Sequence, residues 1–454
     1  MKRRAIPLCL LLMAMLALLT GCFFRSVDEL YAVPEAPAEY WALQSKIKEI
    51  RDRGGEYIAP LTGEYIQSVQ LQDLDGDGVQ EAITFFRFSA EEKPLKIYIY
   101  RRIGDEYELD AVIEGIGDAI YSVSYENLDD SPAKEVVVDW QMSDKLHSLA
   151  AYSVDNAQVV ELLRTDYTEY RVYDLDMDNQ KEILVIRTGT GEGENRAELY
   201  NFRGGVVGLD STAPLSRGIN TVISGGVTTG YLRDNIPAVF VPFTYGEKGY
   251  ITDVFAWRDG ALANITLDSA TQESESTVRW YNGMEDSWGA SDINGDNVTE
   301  IPLPVPIDSR SSGAVNFWSI HWRQYDINGV AWPVFTTYHN ERDGWYFILP
   351  DSWEGSLILE RRDLTGGGER AVVFSHRGAD GEPEPFLTIY WLTGSNRQIR
   401  AGLGNRFSLL PNAGADDSSL YVAEFHECDW DCGLDEAGVI ANFSLIKTDW
   451  SAGR

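Results

Sequence analysis

The sequence predicts a mainly β chain: a β-propeller of about five or more four-stranded blades, followed by a small α+β domain. Three observations predict it. An acidic loop recurs, strand-like apolar runs fill the intervals between its copies, and each interval is about 55 residues long with no amphipathic helix inside it. Four strands with their turns occupy a unit of that length, and sheets repeated at that period pack as blades. The organisation that follows is a leader over 1–22, a spacer and short helix over 23–62, the repeats over 63–340 and a last domain over 341–454.

The leader opens with Lys2, Arg3 and Arg4 and continues as an apolar run, Leu8–Leu19, too short and wrongly flanked to span a bilayer. It ends in Leu19-Thr20-Gly21-Cys22, which resembles a bacterial lipoprotein signal. The resemblance implies a mature chain that starts at Cys22, carries lipid (palmitate) there and stands outside the cytoplasm on the cell membrane. An ordinary secretory signal with an incidental cysteine is the alternative. The stretch SVDELYAVPEAPAE then reads as a spacer. YWALQSKIKEIRDRG follows as a helix, with Leu43, Ile47 and Ile50 on one face and a stop at Gly54-Gly55.

The chain has 71 acidic against 38 basic residues, a net charge of −33. Such a surface is repelled by nucleic acid and by anionic lipid, so neither is expected as a partner and the membrane is met only through the anchor. With 44% hydrophobic and 12% aromatic residues the chain still builds cores, and 454 residues exceed a single one.

The first acidic loop lies in LQDLDGDGVQEAITFF. Its side chains Asp73, Asp75, Asp77 and Glu81 stand at loop positions 1, 3, 5 and 9. The same frame returns as Asp174, Asp176, Asp178 and Glu182, and again as Asp292, Asn294, Asp296 and Glu300. Two worn copies fill the gaps. One keeps Asn127, Asp129, Ser131 and Glu135, so whether it binds metal stays open; the other has Tyr231, Arg233 and Val239 where ligands would stand. Hard oxygen donors converging from a short loop suit Ca2+, which takes six to eight oxygens at flexible distances. Backbone carbonyls at position 7, from Val79, Gln180 and Val298, would add to the shell. An EF-hand needs a glutamate at position 12 and a helix after it, but Thr84, Val185 and Leu303 stand there and strand-like sequence follows. Position 6 wants a residue tolerant of positive φ. The three full copies have Gly78, Asn179 and Asn297, whereas the worn copies have Pro132 and Ile236. Three Ca2+ sites are therefore expected, with acidic hairpin turns as the plainer alternative.

In the first repeat, 66–71 alternates toward the loop, strands are expected over 82–88, 95–102 and 107–113, and 119–125 leads into the next loop. Loop and strand together, repeated, resemble the FG-GAP/VCBS-type repeats of calcium-binding propellers, as in integrin α-subunit heads and bacterial surface proteins. The resemblance covers roughly Glu64 to His339. The Phe-Gly and Gly-Ala-Pro pieces that name the repeat are not evident.

Beyond His339, runs such as GWYFILPDSWEGSLILERRD, RAVVFSH, PFLTIYWL and SLYVAEF read as strands and GLDEAGVIANFSLIK as a closing helix. ILPDSWEG and the helical end resemble PsbP-like domains. Cys428 and Cys432 are expected to form a local disulfide, with a zinc site involving His426 as the lesser alternative.

Catalytic patterns are missing. His147, His321, His339, His376 and His426 are scattered, and neither H-E-x-x-H, nor G-x-S-x-G, nor a P-loop occurs. RTGTGEGEN, with Gly189, Gly191 and Gly193, reads as a hairpin because no helix follows to bind a pyrophosphate. Trp318 and Trp322 share a strand face, and with Trp332 they are expected to pack between blades, glycan stacking being the alternative. A non-enzymatic binding, adhesion or interaction module for protein or polysaccharide at the cell surface is thus expected. The alternatives are a carbohydrate-active hydrolase or lyase with an acidic site in the propeller cleft, and a structural envelope-assembly lipoprotein.

Overall fold

The computed structural model describes residues 38–155, 157–189, 195–280, 289–309, 317–363, 368–410 and 418–446. The leader, Cys22, most of the spacer and the glycines at 191 and 193 lie outside the described residues. By internal contacts the chain falls into two units. One comprises 38–59, 67–72 and 78–115; the other comprises 60–66, 73–77 and everything from 116 onward.

In the first unit the expected helix runs from Ala38 to Asp52. Its Leu43, Ile47 and Ile50 are buried with Phe86, Tyr98, Tyr100 and Tyr107. The helix stops because Gly54 takes φ +95° and the Gly55 N–H turns back to the Ile50 carbonyl at 3.1 Å. The sheet beside it is antiparallel, with strands Glu56–Ile58, Val69–Gln72, Glu81–Arg87, Leu95–Ile103 and Glu106–Gly115. The expected strands fall within a residue or two of these bounds.

The second unit continues the repeat. Ala119–Glu126, Glu135–Ser143, Leu146–Asp155 and Gln158–Asp166 form one antiparallel sheet. Glu169–Tyr173, Glu182–Arg187, Arg196–Arg203 and Val206–Pro214 form the next. The fourth is built around Pro237–Tyr245 and Gly249–Arg258, and the fifth around Ile301–Ser309, Phe317–Tyr325 and Ala331–Asn340. In the second, third and fourth sheets the repeat loop precedes the most buried strand.

These central strands are apolar on both faces, and the alternation of side chains explains why. Ile183 and Val185 point into a core shared with Val137, Leu149 and Leu163 of the second repeat. Leu184 and Ile186 point the other way, into a core shared with Val239, Val241 and Phe243 of the fourth. The fourth strand repeats the division, since its Ala238 and Phe240 pack with Ile301 and Tyr325 of the fifth. Position 2 of the loops is buried too: Leu74, Leu128, Leu175, Leu232 and Ile293. Main-chain bonds join successive loops directly. Lys134 N–H donates to Leu74 O, Lys181 N–H to Asn127 O and Thr299 N–H to Tyr231 O, each at 2.8 Å.

The coarse expectation, a mainly β chain, holds; among the described residues two of the five sheets have four strands, and the others have five, six and ten. Among the described residues no strand pairing closes a ring. Strands beyond residue 340 occupy the edges of the fifth sheet instead: Asp308 and Ser309 pair in parallel with Ile358 and Leu359, and Trp345–Phe347 pairs with Phe443–Leu445. A ten-stranded sheet results, running without a break across residue 340. Its core gathers Trp345, Phe347, Trp353, Phe374 and Phe386. The expected closing helix is short, Glu436–Asn442. Asp435 caps its start by accepting from Gly438 N–H, and the chain then turns to strand at Phe443, buried against the core.

Cys428 and Cys432 stand as separate thiols rather than as the expected disulfide. Cys432 is buried with its Sγ 3.5 Å from Leu434 O, while the Cys428 Sγ lies 3.8 Å from Glu384 Oε2. His426 bonds Thr388 Oγ1 through Nε2 at 2.7 Å, and among the described residues no metal-ligating cluster includes these cysteines. Trp322 is buried as expected, but with Ile293 and Ile320 of its own repeat rather than between repeats, and Trp332 is exposed on the surface. Among the described residues no helix is long and apolar enough to cross a membrane.

Candidate functional site

The loop Asp174–Glu182 is folded by its own carboxylates. Asp174 accepts from the N–H groups of Met177 and Asn179 at 2.7 and 3.1 Å, which draws the chain into a tight curl. Asn179, at position 6, takes φ +71° as expected, and so do Gly78 at +86° and Asn297 at +68°. Position 4 also turns left-handed, at Gly76, Met177 and Gly295, a requirement the spacing argument missed. Two glycines at that position were its signal. The worn fourth loop keeps Ile236 at φ −84°.

This curl brings Asp174, Asp176 and Glu182 together, with one carboxylate oxygen from each lying within 4.8 Å of the others. Asp73, Asp75 and Glu81 are gathered in the same way in the loop Asp73–Glu81. The remaining expected ligands behave differently. Asp178 accepts from the N–H of Gln180 at 2.8 Å and from its side-chain amide at 3.1 Å, and Asp296 accepts from Val298 N–H at 2.8 Å. Position 7 is thus seen donating its N–H to position 5. Asp77 lies outside the first cluster, and Val79 is 40% exposed.

Glu182 is the most telling residue of the loop. It is 1% exposed, its Oε2 accepts from Leu175 N–H at 2.8 Å, and its Oε1 is buried with no hydrogen-bond partner. Burial pushes its carboxyl up to about 8, and the charges of Asp176, Asp174 and Asp178 add to the rise. Burial also raises Asp176. A bare buried carboxylate oxygen costs about 1–3 kcal/mol or more. The cradle therefore fits a positive charge. Its donors are all hard oxygens, the set that Ca2+ prefers.

Among the described residues no third carboxylate cluster of this kind forms. In Asp292–Glu300 the Glu300 Oε2 accepts from Ile293 N–H at 3.0 Å, but Oε1 accepts from the side-chain amides of Gln324 at 2.8 Å and Asn294 at 3.2 Å. In the second repeat Glu135 accepts from Leu128 N–H at 2.8 Å and burial pushes it up to about 7. Asn127, Asp129 and Ser131 gather no cluster of carboxylates around it. The fourth loop offers none.

Away from the loops, a cavity of about 250 Å3 opens between the fifth sheet and the turn that follows Leu349. Its polar lining includes Asp308, Ser319, His321, Thr336, Asp351 and Glu354. Burial lowers the His321 imidazole, while Glu354 pulls it back up. The Ser319 hydroxyl donates to Val305 O at 3.2 Å, so it is not held as a nucleophile for the ring nitrogen 3.4 Å away. Sequence reasoning saw His321 as isolated because its neighbours arrive from a turn about 30 residues later.

No family model matches the chain, and no characterised protein matches its sequence. Among solved structures, a rhamnogalacturonan lyase from Bacillus licheniformis aligns at 11% identity and TM-score 0.29, over 81% of this chain and 88% of the other. Rhamnogalacturonan lyase YesW aligns at 11% identity and TM-score 0.30, over 81% and 90%. A Lactobacillus plantarum protein aligns at 12% and 0.26, over 70% and 89%. At these TM-scores the likeness carries no inference about substrate or activity.

Proposed function

We propose that the chain is a calcium-stabilised binding module, built of propeller-type sheets and held outside the cytoplasm by lipid on Cys22. The observation that carries the calcium reading is the buried, partnerless Glu182 Oε1, on a carboxylate gathered with those of Asp174 and Asp176. Ca2+ in that loop and in Asp73–Glu81 would neutralise clustered acids and fasten each curl between its strands. The bound ion's contribution is structural, and the two sites are permanent parts of the fold.

The ligand would enter the cavity beside His321. Three carboxylates line it, so a neutral or amine-bearing saccharide, or a basic side chain of a protein, suits it better than an acidic polymer. A second reading has a specific observation behind it: Asp351 and Glu354 beside His321 are residue types able to work as acid and base in a hydrolase or lyase. Three measurements decide. Chelation of the purified chain should lower its melting temperature by several degrees, reversed by added Ca2+; an unchanged melting curve would sink the calcium reading. Retention on a panel of neutral and amino-sugar oligosaccharides should be lost in Asp351→Ala. Cleavage of the retained sugars by the wild type, abolished in Glu354→Gln, would decide for the enzyme.

A further inference from the structure

The third and fifth loops share their spacing but not what faces their glutamate. Pairing of Ile183 with Tyr200 sets Asn201 opposite Glu182, and pairing of Ile301 with Arg323 sets Gln324 opposite Glu300. Asn201 is one methylene shorter, and Glu182 Oε1 stays bare. Gln324 reaches. It is 3% exposed, and its amide nitrogen donates to Asp296 Oδ2 and to Glu300 Oε1, both at 2.8 Å. Asn294 donates to the same two oxygens, at 3.0 and 3.2 Å.

The Gln324 amide is held in that sense from behind. Its Oε1 accepts from Arg233 Nη1 at 3.0 Å, and the Arg233 guanidinium lies 4.9 Å over the Trp332 ring. Arg233 occupies position 3 of the fourth loop, the place of a ligand in the full copies. A residue that spoils one loop therefore serves the next. Asp296 also departs from its counterparts. Burial works against its charge, yet bonds from Val298, Asn294 and Gln324 together with the Arg233 charge hold its carboxyl below the ordinary range. Cations and amide hydrogens repel each other at the same oxygens, so the two arrangements exclude one another.

We propose that the loop Asp292–Glu300 takes no divalent cation, because the amides of Gln324 and Asn294, backed by Arg233 of the preceding repeat, satisfy the oxygens that Ca2+ would need. This rests on the calcium reading of Asp73–Glu81 and Asp174–Glu182, but the two are separable by counting ions. Native mass spectrometry of the full chain in Ca2+ is expected to show two ions per chain, and Gln324→Ala three. A count of three in the wild type overturns the proposal, as does a Gln324→Ala chain that binds no more than the wild type. A wild-type count of zero or one instead overturns the calcium reading of the other loops, while the extra ion in Gln324→Ala still reports on Gln324. Should Gln324→Ala not fold, Glu300→Gln serves: the proposal expects its count to equal the wild type's, and a loss of one ion overturns it.

Discussion

The loops Asp174–Glu182 and Asp292–Glu300 have the same length, a buried aliphatic residue at position 2 (Leu175 and Ile293) and the same left-handed turns at positions 4 and 6. They differ in how negative charge is met. The third loop leaves a carboxylate oxygen bare, whereas the fifth covers it with amides. A repeat thus fixes a curl by a carboxylate that accepts from its own main-chain N–H groups, and leaves the remaining charge to be met by an ion or by the protein. Spacing of acids reports the curl. It does not report which solution was taken.

The largest effect should come from what the two loops share. Leu175→Ala and Ile293→Ala each remove a buried anchor and should cost about 2–4 kcal/mol in urea unfolding. A much smaller cost in one of them would mean that the curls are not held alike.

Next comes what separates them. At Ca2+ one hundred times its Kd a site contributes about 2.7 kcal/mol, so chelation should destabilise the wild type by roughly that amount per occupied loop. Glu182→Gln should remove one such share, while Glu300→Gln should leave the chelator-dependent difference intact. Equal losses in the two variants would erase the contrast.

Acid should then act on the fifth repeat through His339, which lies between Trp322 and Tyr346 at ring distances of 6.0 and 5.2 Å. Burial lowers its imidazole to about 3. The unfolded chain takes up the proton first, so stability present above pH 6.5 is lost as pH falls toward the folded value. Between pH 6.5 and 4.5 the loss should be about 2 kcal/mol, measured as the difference between the wild type and His339→Phe. A parallel pH dependence in both proteins would remove His339 from the account.

The smallest effect is expected from Arg233→Gln. Its guanidinium is exposed, and the stability change should stay under about 1 kcal/mol by thermal melting. A larger loss would show that Arg233 anchors the fifth loop rather than only orienting Gln324.

Much of this was legible in the sequence. Acids at alternate positions, Gly or Asn at position 6 and apolar runs after each loop located the strands of the first repeat within a residue or two. What escaped notice was set by distant pairing. Gln324 meets Glu300 only because a hairpin whose connection lies outside the described residues brings their strands into register. The edges of the fifth sheet are taken by Ile358 and Phe443, far along the chain. Met177 escaped for a local reason. Its positive φ runs against residue preference and is held by the bond to Asp174.

The bonds that tie loop to loop are main-chain on both sides, from a position-8 N–H to a carbonyl at position 1 or 2. Side chains add to this seam, as where Lys181 Nζ pairs with Glu126 at 2.7 Å, but the main-chain bonds themselves do not depend on the identity of the ligands they join. The loop Tyr231–Val239, which lacks the ligand side chains, still keeps its main-chain bond to its neighbour, from Thr299 N–H to Tyr231 O. The array accordingly retains its architecture through changes that would unfold a protein whose ions were its only fasteners.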